Sequence, residues 1–267
     1  MNKIISLFLL FLFILISLNA QDFSVAPVRV DFKANPGESE NQSITIKNHG
    51  NKELSLLLSM RDFLMKRDGS KEFLETESTN HSIAEFITIN PNYLELNPNE
   101  SANVQLNLQA PVNDMGSKWG VLTVTSSREQ EAFSADDNLQ ASFNISGSVS
   151  VFVYHSPQAN QNYEVKISNL AEMGQTDSTR NFSAIIDNTG DKRARCKMFL
   201  IAANLNTGKE QQFNQSTVIV YPNTTREVTL TLPRSLSKGR YSLSAVLDYG
   251  GSTLEGTQMI IQVPPAE

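Results

Sequence analysis

His49, His81, His155 and Cys196 are the nitrogen and sulfur donors that a metal would seek, and they stand far apart in the chain. No two of them share the short spacing from which zinc sites are built, so no metal is expected. One cysteine also excludes an internal disulfide. The acids Glu38, Glu40, Glu129, Glu131, Asp136 and Asp137 fall in stretches that look like turns or loops, where neighbouring carboxylates are usually solvated rather than set as a general acid and base. There is no glycine-rich phosphate cradle, no G-x-S-x-G elbow and no H-E-x-x-H pair. The expectation is a protein without catalytic residues or cofactors, not an enzyme.

Two single residues need an account. Arg29 follows Pro27 in the apolar-polar alternation from Phe23 to Phe32. Proline has no N–H for a ladder, so a strand broken there can start on one sheet and finish on another. Taken alone, Arg29 is a solvent-facing arginine. Cys196 alternates with Arg195 and Lys197 and shares parity with Ala194, Met198 and Leu200, the pattern of a small core side chain rather than a reactive thiol. Asn-x-Ser/Thr triplets at Asn41, Asn80, Asn99, Asn144, Asn181, Asn214 and Asn223 come from a chain rich in asparagine and do not by themselves argue for glycosylation.

These residues need a scaffold, and composition limits what it can be. Across 267 residues there are 22 basic and 28 acidic side chains, a net charge of −6, with the basic ones scattered. That distribution offers no footprint for a nucleic-acid backbone. Met1 to Lys3 is a short polar and positive start, Ile4 to Leu18 is almost wholly apolar, and Leu18-Asn19-Ala20 ends in a small residue before Gln21. This is the pattern of a secretory signal, removed on export. Its core of about 15 residues is short of the roughly 20 that span a bilayer, and no second run of that kind follows. Loss of residues 1–20 removes Lys3 alone among the charged side chains and takes the net charge from −6 to −7. The residue directly after the cleavage point is Gln21 and not a cysteine, so a lipid-anchored start is not expected.

Beyond the signal the dominant period is two, the mark of strands with one wet face. Val28, Val30 and Phe32 alternate with Arg29, Asp31 and Lys33, and the same holds for Ile44 and Ile46, for Leu54 to Met60, and for Val104, Leu106 and Leu108. Turn signals separate them at Asn35-Pro36-Gly37, Asn48-His49-Gly50-Asn51, Arg67-Asp68-Gly69 and Asn97-Pro98-Asn99. One helical turn is expected near Ser82 to Phe86, and little other helix. The alternation lapses over 156–162 and restarts at Tyr163, Val165 and Ile167. The expected division is therefore a signal at 1–20, a first domain at 21–155, a linker at 156–162 and a second domain at 163–267. About seven strands in roughly 105 residues fit an immunoglobulin-like sandwich in the second.

The longest alternation runs from Leu139 to Tyr154. Leu139, Ala141, Phe143, Ile145, Gly147, Val149, Val151 and Val153 share one parity, and the other is polar until Phe152 and Tyr154. Strands usually have about five or six residues. The stretch before it, Ser126 to Asn138, has the composition of a loop.

Three segments together resemble the periplasmic pilus-assembly chaperones, the PapD-like family. They are the opening strand Val25-Ala26-Pro27-Val28-Arg29-Val30, the run from Pro91 to Leu106, and the order of Trp119 to Val124, polar loop, long strand and proline-containing linker. The resemblance covers about residues 22–160 and implies an all-β fold of two immunoglobulin-like sandwiches set in an L. It implies a non-enzymatic chaperone in the periplasm that lends its long strand to a fibre or pilus subunit with an incomplete sandwich. Carried over, the subunit-binding residues are Arg29, Leu139, Ala141, Phe143, Ile145, Gly147 and Val149, with Val149, Val151 and Val153 turned more towards the protein's own core. In that family the arginine and a lysine on the long strand hold the subunit's C-terminal carboxylate; here no lysine occurs between Asn138 and Tyr154. An unlent strand could also let the protein associate with itself. The other function consistent with the residues is a secreted structural or adhesive protein whose two modules bind cell-wall glycan or protein.

Overall fold

The structure, a computed structural model, describes residues 22–127 and 147–264. The signal-like segment and Leu139, Ala141, Phe143 and Ile145 lie outside the described residues.

Strands β1 (Phe23–Ala26), β2 (Arg29–Phe32), β3 (Ser39–Asn48), β4 (Leu54–Met65), β5 (Lys71–Leu74), β6 (Ile87–Asn90), β7 (Tyr93–Leu96), β8 (Ser101–Gln109), β9 (Lys118–Ser127) and β10 (Ser148–His155) form two sheets. One has the order β1-β3-β8-β6; the other runs β2-β10-β9-β4-β5, with β7 also paired to β4. The alternating sequence dictates the packing: Ile44, Ile46, Leu56, Val104, Leu106, Leu122, Val151 and Val153 turn inward and are fully shielded. Each such side chain contributes about 1.5 to 3 kcal/mol by leaving water.

The break at Pro27 does what a missing N–H allows. The Ala26–Pro27 peptide is cis; β1 pairs antiparallel with β3 in the first sheet, and β2 pairs parallel with β10 in the second. A single 3-10 turn, Ala84–Phe86, occupies the segment expected to be helical.

The second half holds β11 (Val165–Gln175), β12 (Thr179–Asn188), β13 (Ala194–Asn204), β14 (Glu210–Val220), β15 (Thr224–Pro233), β16 (Gly239–Asp248) and β17 (Glu255–Val263). They make the sheets β11-β12-β15 and β14-β13-β16-β17, closed over their own core of Phe182, Ile186, Leu200, Leu230 and Leu243. Cys196 lies within that core, and burial pushes its thiol up to about 12, which leaves it protonated and inert at neutral pH. Both halves are therefore β-sandwiches, and the described residues are all-β, as their alternation leads one to expect.

Both sandwiches end a strand with the same buried device. Asn48 donates from Nδ2 to the carbonyls of Lys52 and Leu96, and its Oδ1 accepts from Gly50 N–H. Asn188 donates to Lys192 and Val220 and accepts from Gly190 N–H. A buried carboxamide is tolerated because its donors and acceptor are all used.

Candidate functional site

The site begins at an edge. β10 pairs with β9 along its whole length, from Ser148 opposite Thr125 to His155 opposite Lys118. On its other side it pairs with β2 only from Phe152 to His155. Phe152 N–H bonds to Val28 O at 3.0 Å and Ser156 N–H to Phe32 O at 3.0 Å, so the even-numbered residues direct their backbone groups towards β2. By the alternation of a strand, Ser148 and Ser150 direct theirs the same way. No described strand of that sheet lies beside them. Among the described residues, the β2 side of Ser148 to Val151 is thus an unpaired edge that ends where Val28 and Arg29 begin.

The face of this sheet that turns away from the core carries Phe63, Trp119, Phe152 and Tyr154, and Tyr221 of the second sandwich packs onto them. The Phe63 ring meets Phe152 at 5.6 Å, Tyr154 at 6.4 Å and Tyr221 at 5.9 Å, all edge-on. Trp119 lies between His81, stacked at 4.3 Å, and Tyr221 at 4.9 Å. The Tyr221 hydroxyl donates to that of Tyr154 at 3.1 Å, and burial pushes the Tyr221 phenol well above its usual range. Aromatic pairs of this kind add about 0.5 to 1.5 kcal/mol each beyond their buried area.

Beside this cluster three charges meet. Arg29 donates to both oxygens of Asp31, Nε to Oδ2 at 2.6 Å and Nη2 to Oδ1 at 2.7 Å. Arg193, at the start of the chain that enters β13, donates to the same Oδ1 at 3.0 Å. Both guanidinium groups lie over the Tyr154 ring, Arg29 at 4.9 Å and Arg193 at 3.9 Å. Partial burial would raise the Asp31 pKa, but the hydrogen bonds from Arg29 and Arg193 outweigh it and hold the carboxyl below its ordinary value. Asp31, Lys33, Trp119, Tyr154, Lys192 and Arg193 contribute to the wall of an interdomain cleft of about 500 Å³.

Two further joints fix the sandwiches to each other. Ser117 N–H bonds to Asp191 O at 2.8 Å, Asn160 Nδ2 reaches Met115 O at 2.6 Å, and Lys192 Nζ donates to Asn160 O at 2.7 Å. At the tip of the β4–β5 hairpin, Glu227 N–H bonds to Arg67 O at 2.9 Å, and the two side chains form an ion pair at 3.3 Å.

Of the residues singled out from the sequence, Arg29 sits at the end of the free edge with its side chain half exposed. Gly147, just before β10, accepts hydrogen bonds from Ser126 N–H and Oγ. Val149 is half-buried against the core of the first sandwich, while Val151 and Val153 belong to that core. Leu139, Ala141, Phe143 and Ile145 are outside the described residues. Sequence inspection passed over Asp31, Trp119, Arg193 and Tyr221. Phe152 and Tyr154 carried a signal, since aromatic side chains on an otherwise polar parity mark a face that something covers.

No family model and no curated protein matches the sequence. Among solved structures, the fold is similar to a chain of the chaperone–tip adhesin complex of CFA/I fimbriae biogenesis, with a TM-score of 0.53, 12% identity, and 91% of this chain and 100% of that one covered. It is also similar to the class 5 fimbriae chaperone CfaA, with a TM-score of 0.50, 13% identity, and coverage of 91% and 99%. Sequence identity this low carries the architecture and not the individual residues. The chain has the two-sandwich fold of the fimbrial chaperones.

Proposed function

We propose that the protein is an exported, periplasmic chaperone for fibre or pilus subunits whose own sandwiches lack a strand, and that it acts by lending them the edge of its long strand. It uses no nucleotide and performs no covalent chemistry. A subunit with an open groove exposes apolar surface and unpaired backbone, both of which promote aggregation. Pairing that groove with a ready strand covers both at once: the ladder contributes affinity and the alternate side chains selectivity. Leu139, Ala141, Phe143 and Ile145 supply the side chains in this proposal, with Gly147 and Val149 at its inner limit.

The unpaired side of Ser148 to Val151 carries the proposal. A subunit strand added there parallel to β10 continues the line of β2, and its C-terminal end arrives at Arg29. An antiparallel strand would instead bring its amino terminus to a guanidinium, an unfavourable pairing of like charges. The geometry therefore favours a parallel strand that ends in a carboxylate beside Arg29.

Ser150→Pro tests this. The substitution removes the N–H that faces the open edge and spares the bonds to β9, which the odd-numbered residues make. Proline is compatible with an edge position. Expected is a fall of about tenfold or more in affinity for a co-purified fibre subunit, as loss of a ladder bond plus the ring's bulk requires, with unfolding unchanged. Ser150→Ala should bind as the unsubstituted protein does. Full capture by the folded Ser150→Pro protein, or a stable outer-surface location of the native protein, would favour the adhesive alternative.

A further inference from the structure

Asp31 stands where an external carboxylate would be most welcome. Period two along β2 places it on the same face as Arg29, so the forked pair between them is written into the local sequence. Arg193 reaches the same oxygen from the second sandwich, 162 positions along the chain. Among the described residues no other carboxylate forms an ion pair with either arginine. The site has a floor, the Tyr154 ring beneath both guanidinium groups. It also has an entrance, since the Asp31 side chain is 39% exposed and that of Arg29 50%.

We propose that Asp31 is an internal occupant of a carboxylate site whose two jaws are Arg29 from the first sandwich and Arg193 from the second, and that an incoming carboxylate binds by displacing it. That the incoming group is the C-terminal carboxylate of a client strand rests on the function proposed above; the occupancy itself rests on the geometry alone. A site filled by its own side chain is competent only for the fraction of time that the side chain is away, and its apparent affinity falls by that fraction. Asp31 thus sets a threshold: an isolated carboxylate is turned away, whereas one delivered by a paired strand arrives at high effective concentration and prevails. Arg193 becomes a positioning residue that ties acceptance of the carboxylate to the docking of the second sandwich.

The test uses propionate as the probe and propionamide as its uncharged control, read by the NMR signals of the arginine Nε–H groups in the full mature chain. Asp31→Asn keeps the side-chain volume but leaves the two guanidinium groups without a neutralising partner. Expected is half-saturation of the Arg29 and Arg193 signals by propionate at a concentration about tenfold or more below that of the unsubstituted protein, with no response to propionamide. Equal or weaker propionate binding by the folded variant overturns the proposal. Asp31→Ser, which vacates the position, is read by the same criterion if the asparagine variant does not fold. Stronger propionate binding without stronger capture of fibre subunits upholds the occupancy and counts against the strand-lending function instead.

Discussion

His155 shows how much a single side chain can decide. It is 1% exposed, its Nε2 lies 2.8 Å from Ala34 O, and its Nδ1 has no hydrogen-bond partner among the described residues. Desolvation holds its pKa below the ordinary 6.5, as it does for His81. A histidine that resists protonation when folded contributes stability above its unfolded pKa, and that contribution is lost as pH falls through 6.5. The carboxyls of Asp31 and Glu40 are held below their ordinary values of 3.8 and 4.5, so their contribution declines only at lower pH, and the two windows separate. Urea unfolding between pH 8 and 5 should show a falling midpoint. His155→Gln, which can still donate to Ala34 O, should lower the midpoint at pH 8 and flatten its slope, leaving the part due to His81. An unchanged slope would show that His155 titrates normally.

Among the elements, most strands were legible because one face is buried and the other is wet; the outer face of the β2-β10-β9-β4-β5 sheet, covered by Tyr221, is the exception. Ile44, Ile46, Val104, Leu106 and Leu108 announce β3 and β8 by parity alone, and Pro27 announces the change of sheet. β5 and β7 were not legible: each has four residues and lies along β4, β5 buries little and β7 sends only Leu94 and Leu96 towards the core, so tertiary pairing rather than pattern creates them. The site was half legible. Arg29 and the described part of the alternation, β10, are local features, whereas the meeting of Asp31 with Arg193 depends on the docking of two sandwiches, which no periodicity records. The Asn48 and Asn188 turns were visible only as turns; that each asparagine is 1% exposed and fully bonded emerges from the fold. Asn188→Ala should cost about 1 to 3 kcal/mol, since Lys192 O, Val220 O and Gly190 N–H lose their partner. The same substitution at Asn48 should act similarly in chemical denaturation, and a loss within experimental error at both would show that water replaces the carboxamide.

At the level of the whole molecule the described residues hold the two sandwiches together at three separate places: the aromatic and arginine cluster, the Ser117–Asp191 junction and the β4–β5 hairpin. The hairpin depends on Gly69. Its φ of +84° lies in the left-handed region, and a Cβ there would lie 1.0 Å from Nη1 of Arg226, so any side chain must expel that guanidinium from the joint. Gly69→Ala should cost about 1 to 2 kcal/mol from the backbone alone, read as a lower thermal midpoint, with an added loss from the displaced arginine. A midpoint equal to that of the native protein would mean that the hairpin does not brace the second sandwich.

Trp119 is the sole tryptophan of the chain, sealed between an imidazole of its own sandwich and a phenol ring of the other. Its intrinsic fluorescence is consequently a gauge of the elbow that needs no label. Any event that parts the sandwiches hydrates the indole and moves its emission to the red, whereas a client that seats without disturbing the elbow leaves the spectrum in place.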